Sequence, residues 1–291
     1  MEGFERFGDS SVAIPDTPLP SDFRVFYPWE SLSPEGDLEA PPGQKVEPPL
    51  PPQERQLYQQ IVGVLNYAAH CARPDVAFAA AVLSQAGQKP RARHLAAARR
   101  AIQYLGGTAT WGLRYCKGDP PFLEAYCDAS LGPTGSSHNH TGILLSLAGG
   151  PVSWTSKKQD RKTTSTTDSE SLAVMATVQH VLHMRDLLVE FDAMQSWPTP
   201  LYNDNKPCVN LCVEPRSHHK SLQLTRPMAM VRQQTHDGYI EPVFVNTTRM
   251  PADFLTKRLD RESFERCRAQ SGMAPLPADV SFVTFPASGQ T

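Results

Sequence analysis

From about residue 119 to residue 272 the apolar residues change period several times, and the order of those changes constrains the fold more than anything else in the chain. Leu123 to Asp128, Thr141 to Leu147 and Pro151 to Thr155 read as three strands, with a turn at Gly149-Gly150 between the second and the third. A long helix follows from about Asp168 to Phe191, with Leu172, Met175, Val178, Leu182, Leu188 and Phe191 at helical spacing. Leu201-Tyr202 makes a fourth strand and a short helix follows Pro207. A further helix runs from about Met228 to Thr235, where Pro227 interrupts what comes before it. Ile240 to Val245 is a fifth strand, and Pro251 opens a last helix. Three strands with short connections, then two reached through crossover helices, predict an α/β fold with a mixed five-stranded sheet and flanking helices.

The segments before it have a different texture. Eleven of the 27 prolines fall between Pro15 and Pro52, so residues 1–53 predict a largely irregular, proline-rich linker. Phe23, Phe26, Tyr27 and Trp29 are the residues in it with surface to dock. Residues 54–118 predict a small helical region of three short helices: one through Leu57, Ile61, Val64, Leu65 and Ala68, one opened by Pro74, and one after Pro90 that Gly106-Gly107 stops. Residues 119–272 then form the α/β domain, and 273–291 a flexible tail.

A formal net charge of −2 gives the whole molecule no basic signature, so only local charge on a binding face would favour nucleic acid. No apolar run reaches the roughly 20 residues of a membrane helix, and the first residues lack the pattern of a signal peptide. The six cysteines show no zinc-site spacing and read as free thiols of a reducing compartment. A soluble, cytoplasmic chain is expected, with a virus-like particle or the nucleus as other locations.

Four acids stand out by position. Asp128 ends the first strand, Glu170 lies in the first turn of the long helix, Asp204 ends the fourth strand, and Asp253 opens the last helix. Each also has a local structural reading. Glu170 would close a capping box with Thr167, Asp204 would cap the next helix, Asp253 would suit a helix N-terminus, and Asp128 would be a turn residue. Together, carboxylates converging at one sheet edge would repel each other unless a cation neutralised them. All-oxygen ligands select Mg²⁺ or Mn²⁺, and two such ions roughly 3.5–4 Å apart form the arrangement for phosphodiester hydrolysis.

Several runs carry a resemblance. Leu57 through Tyr67, Ala72-Arg73-Pro74-Asp75-Val76-Ala77-Phe78 and Ala97 through Thr108 resemble the end of copia-type reverse transcriptases, so residues 1–53 are expected to be either a linker or part of that end. Tyr126-Cys127-Asp128-Ala129, Val152 through Gln159, Ser165 through Glu170, Tyr202-Asn203-Asp204-Asn205 and Pro251 through Lys257 resemble, in family order, the ribonuclease H domain that follows in such retrotransposon polyproteins. The resemblance implies a ribonuclease H-like fold with Asp128, Glu170, Asp204 and Asp253 as the catalytic, metal-binding set. It also implies two Mg²⁺ or Mn²⁺ ions and cleavage of the RNA strand of an RNA–DNA hybrid; Lys157, Lys158 and Asn205 are the candidate substrate contacts. The partners implied are the hybrid and the polymerase portion of the polyprotein, with no membrane.

The chain also departs from the family. It contains no Tyr-x-Asp-Asp tetrapeptide, so DNA synthesis is not expected of it. Lys220-Ser221-Leu222-Gln223-Leu224 stands where a Lys-His-Ile-Asp-like run is usual, and no histidine lies between Val245 and Asp253 to assist metal turnover. Lys157, Lys158, Arg161 and Lys162, and Arg91, Arg93, Arg99 and Arg100, are basic groups that read either as solvated faces or as phosphate contacts. His138-Asn139-His140 reads as a loop, His180 and His183 lack a zinc motif, and Trp154 reads as core packing. The competing reading is a catalytically inactive remnant or a host-adopted module that binds nucleic acid without cutting it.

Overall fold

A computed structural model describes residues 13–24, 47–116, 122–132, 139–161, 163, 165–214 and 222–277. Helix α1 (Pro52–Cys71) starts on a proline, whose missing N–H costs nothing in a first turn. A 3₁₀ turn at Pro74–Val76 leads into α2 (Ala77–Ser84), and α3 spans Ala92–Gly107. The chain continues through β1 (Trp111–Leu113), β2 (Glu124–Ser130), β3 (His140–Leu147) and β4 (Gly150–Lys158) into α4 (Thr166–Glu190). Then come β5 (Thr199–Asn203), α5 (Lys206–Val213), α6 (Leu222–His236) and β6 (Ile240–Phe244). A 3₁₀ turn at Pro251–Leu255, α7 (Arg261–Gln270) and β7 (Met273–Pro275) close the described chain.

The main sheet has the order β4-β3-β2-β5-β6. β2, β3 and β4 pair antiparallel, while β2 with β5 and β5 with β6 pair parallel. This is the expected mixed five-stranded sheet. The β3–β4 turn centres on Ala148 (φ 51°) and Gly149 (φ 74°), one residue earlier than expected. Positive φ at both positions matches the turn to the right-handed twist of the strands.

Alternation along β2 sorts its side chains between two cores. Ala125 and Cys127, with Ile143, Leu145 and Leu201, face Ala173, Val174, Val178 and Val181 of α4. On the other face, Leu144 meets a core built from α1, α2, α3, Phe254, Leu255 and Phe264. Trp154 packs on that face as expected, and its Nε1–H donates to the Ala69 carbonyl of α1 at 2.6 Å.

Several local expectations are corrected. The first helix of the helical region is 20 residues long, not short. Helix α6 runs through Pro227 rather than starting after it. The last α-helix starts at Arg261, because the chain from Pro251 makes only a 3₁₀ turn. Met273–Pro275, in the segment expected as a tail, is a strand paired antiparallel with β1. The thiols are free as expected, and among the described residues no helix is long and apolar enough to cross a membrane. Phe23 docks into the helical core, whereas Phe26, Tyr27 and Trp29 lie outside the described residues.

Candidate active site

Asp128 lies within β2, two residues before its end, and is fully buried. It is therefore not the turn residue of the local reading. The Thr256 hydroxyl donates to its Oδ2, and Lys257 Nζ lies 3.2 Å from its Oδ1. Gly142 is its register partner on β3. A Cβ at Gly142 would sit 2.6 Å from Thr256 Cγ2 and 2.8 Å from Leu255 Cβ. A bare glycine at this position is what lets the Pro251–Leu255 turn pack close enough to aim Thr256 and Lys257 at Asp128.

Glu170 is not part of a capping box. The cap of α4 is Ser165, whose hydroxyl accepts the Asp168 N–H, so Glu170 lies beyond the capping positions. Its carboxylate turns inward, 5% exposed, and accepts a 2.9 Å hydrogen bond from Asn203 Nδ2. The same amide nitrogen donates to the Cys127 carbonyl at 3.0 Å, tying β5 to β2 beneath the site. Asn203 was not singled out from the sequence. It is wholly buried, and its only local signal is its place at the end of β5.

Asp204 follows β5 directly and is not a cap either, since Asn205 caps α5 by accepting the Cys208 N–H. Asp204 instead accepts the Thr247 hydroxyl at 2.7 Å. Ligand oxygens of Asp128, Glu170 and Asp204 lie within 4.8 Å of one another. These residues line an open groove together with Thr166, Asn205 and Lys257. Asp253 stands outside that trio. It is buried in the 3₁₀ turn and joined to Asp128 through Lys257, 2.9 Å from its Oδ1.

The electrostatics follow from this crowding. Burial, and after it the Asp128 charge, push Glu170 up to about 9 in spite of the Asn203 hydrogen bond. Burial and then Asp128 push Asp253 up to about 6 against the pull of Lys257. Burial raises Asp128 too, opposed by Lys257 and Thr256. Burial alone would lower the Lys257 ammonium, but Asp128 and Asp253 outweigh it and hold it protonated.

The other expected contacts are dispersed. Lys157 and Lys158 lie at the end of β4, with Lys158 in register with His140 and, through it, Ser130 of β2. At normal strand spacing that puts the Lys158 backbone roughly 12 Å from Asp128. Arg91 donates to the Glu47 carbonyl, Arg93 pairs with the Glu47 carboxylate at 3.5 Å, and Arg100 donates to Thr17. Those three arginines are committed to the chain's own N-terminal segments. His140 belongs to β3, buried edge-on to Phe78, and burial followed by the Lys158 charge lowers it to about 4. His138, Lys162 and Lys220 lie outside the described residues.

No family model matches the chain. It is 33% identical over 221 residues to the retrovirus-related Pol polyprotein from transposon RE1 of Arabidopsis thaliana, covering 76% of this chain and 15% of that protein. It is 31% identical over 217 residues to the corresponding polyprotein from transposon TNT 1-94 of Nicotiana tabacum, covering 74% and 16%. Among solved structures it is similar to the ribonuclease H1 LC11 isolated from compost, with 14% identity, a TM-score of 0.37, and coverage of 50% of this chain and 97% of that one. The chain spans about 15% of the length of the curated relatives it matches. The relatives that match about three quarters of this chain are retrovirus-related Pol polyproteins of copia-type transposons.

Proposed function

We propose that this chain is a metal-dependent ribonuclease H that hydrolyses the RNA strand of RNA–DNA hybrids. The observation that carries the reading is the convergence of Asp128, Glu170 and Asp204 at an open groove, with ligand oxygens within 4.8 Å. The donor set fits the ions the reading requires. Every ligand is a carboxylate oxygen, which suits Mg²⁺ or Mn²⁺, and burial with mutual repulsion raises two of the three carboxyls, a penalty that a bound cation would offset. Asp128, Glu170 and Asp204 would hold one ion, and Asp128 with Asp253 would hold the second. Bound there, such ions supply an activated water and stabilise charge on the phosphoryl oxygens.

The chain's own residues do the rest. Asn203 fixes the rotamer of Glu170, and Thr247 fixes Asp204. Thr256 holds one oxygen of Asp128, so its ligand direction is set before substrate arrives. Asn205 uses its Oδ1 as a helix cap, which leaves its amide N–H groups to donate into the groove, where a ribose 2′-hydroxyl would identify RNA. Lys157 and Lys158 are far enough from the acids to meet flanking phosphates rather than the reacting one. In the reaction the attacking water gives up one proton as its oxygen bonds to phosphorus, the bond from phosphorus to the leaving ribose oxygen breaks, and that oxygen takes up one proton from solvent. The polymerase portion of the polyprotein would deliver the hybrid.

The test is to incubate the purified chain with a labelled RNA–DNA hybrid and with DNA duplex of the same sequence. RNA-strand cutting that needs Mg²⁺ or Mn²⁺ and stops with EDTA supports the reading. Metal-independent cutting, or equal cutting of the DNA duplex, refutes it.

A further inference from the structure

The four acids do not form one group. Asp128, Glu170 and Asp204 share ligand distance, whereas Asp253 reaches the cluster only through an ammonium. Lys257 Nζ lies 3.2 Å from Asp128 Oδ1 and 2.9 Å from Asp253 Oδ1. Its position is built rather than incidental. Asp253 and Lys257 are four residues apart across the 3₁₀ turn, Thr256 anchors that turn to Asp128, and Gly142 leaves the room for the turn to approach. The Lys257 side chain is 33% exposed and lines the groove, so its ammonium stands at the mouth of the site. The Asp128–Asp253 side of the carboxylate cluster thus carries a cation supplied by the chain, and among the described residues no ion pair reaches Glu170 or Asp204.

We propose that Lys257 is a positioning residue that acts as a resident counter-cation on the Asp128–Asp253 side of the site. In the free protein it keeps that side closed to a second divalent ion, so that one ion alone loads, at Asp128, Glu170 and Asp204. The inference rests on the metal-dependent reading above. Its physical basis is like-charge exclusion, since an ion sharing Asp128 with Asp253 would have to stand beside the ammonium that already bridges them. A phosphodiester entering the groove offers that ammonium another anionic partner. Arrival of substrate would therefore free the Asp128–Asp253 side and make loading of the second ion depend on the hybrid.

The test is titration of the nucleic-acid-free chain with Mn²⁺, followed by calorimetry and by the spin-resonance signal of unbound Mn²⁺. Wild type, Lys257→Gln and Lys257→Arg are compared, with thermal melts in EDTA and in Mn²⁺. The expected count is one ion for wild type and Lys257→Arg, and two for Lys257→Gln. Lys257→Gln is also expected to melt lower than wild type in EDTA and to gain more from Mn²⁺, because its buried carboxylates lack their cation. Two ions on free wild-type protein overturn the proposal whatever the variants do, including a variant that fails to fold. Equal counts and equal Mn²⁺-dependent melting in wild type and Lys257→Gln overturn it as well. If wild type binds Mn²⁺ and cuts hybrid while Lys257→Gln matches it, only this inference falls. If no form takes up Mn²⁺, the metal-dependent reading falls with it.

Discussion

Glu170 provides a quantitative test of how strained the acid cluster is without metal. The perturbation is Glu170→Gln, which keeps the shape of the protonated carboxyl and cannot ionise. Burial and the Asp128 charge raise Glu170 from its ordinary value of 4.5 to about 9. Between those values the folded chain holds a proton that the unfolded chain has released, so stability falls as pH rises. The slope is about 1.4 kcal/mol per pH unit, or about 2 kcal/mol between pH 6.5 and pH 8.0, as an upper bound. The titrations of Asp253, pushed up to about 6, and His140, lowered to about 4, are centred below this window in the folded chain and are present in both proteins, so the comparison largely cancels them. The assay is urea unfolding of both proteins in EDTA at the two pH values. Wild type should lose up to about 2 kcal/mol more than Glu170→Gln over this range, which is about 4–8 °C in Tm for a chain of this size. Saturating Mg²⁺ should abolish the difference in slope, because a metal-bound Glu170 is ionised in the folded state. Parallel pH dependence of the two proteins in EDTA would refute the electrostatic account of the cluster.

Other substitutions probe separate links. Asn203→Ala removes the hydrogen bond that orients Glu170, and hybrid cleavage should fall about 10–100-fold while hybrid binding persists, measured by single-turnover kinetics and filter binding. Trp154→Phe deletes the donor to the Ala69 carbonyl and should cost about 1–2 kcal/mol in denaturant unfolding with the cleavage rate unchanged. Lys158→Ala should reduce the slope of log hybrid affinity against log salt by about one phosphate contact and leave the rate at saturation alone.

Much of the architecture was legible because it is written in short-range patterns. The apolar run at 141–147, the alternation at 151–155 and the 3.6-residue repeat of 168–191 each depend only on neighbours, and the strands and helix fall there with ends shifted by a few residues. The four acids were visible as a set through their places on those elements. What each acid does locally was harder to read. Thr167 and Asp204 look like helix caps, but Ser165 and Asn205 hold those positions, which releases Glu170 and Asp204 toward the groove. The supporting residues were not legible because their partners are distant in sequence. Asn203 meets Glu170 across 33 residues, and Thr256 meets Asp128 across 128. The same distance misled the reading of Arg91 and Arg100, whose partners Glu47 and Thr17 lie 44 and 83 residues away. Pro227 was misleading for another reason. A proline in a helix costs roughly 3 kcal/mol, which a local reading treats as decisive, while the packing of Met228 and Val231 into the sheet core supplies a compensation that no local pattern reveals.

The most direct test of the central claim is cleavage of a labelled RNA–DNA hybrid in Mg²⁺ or Mn²⁺ by wild type beside Asp128→Asn. Asp128 belongs to the carboxylate trio and also meets Lys257 and Thr256, so its charge is the one the whole site shares. The account predicts RNA-strand cutting by wild type and a loss of at least about a hundredfold in Asp128→Asn, with its fold and hybrid affinity retained. Equal cutting by the two proteins, or no cutting by folded wild type that binds the hybrid, would contradict it.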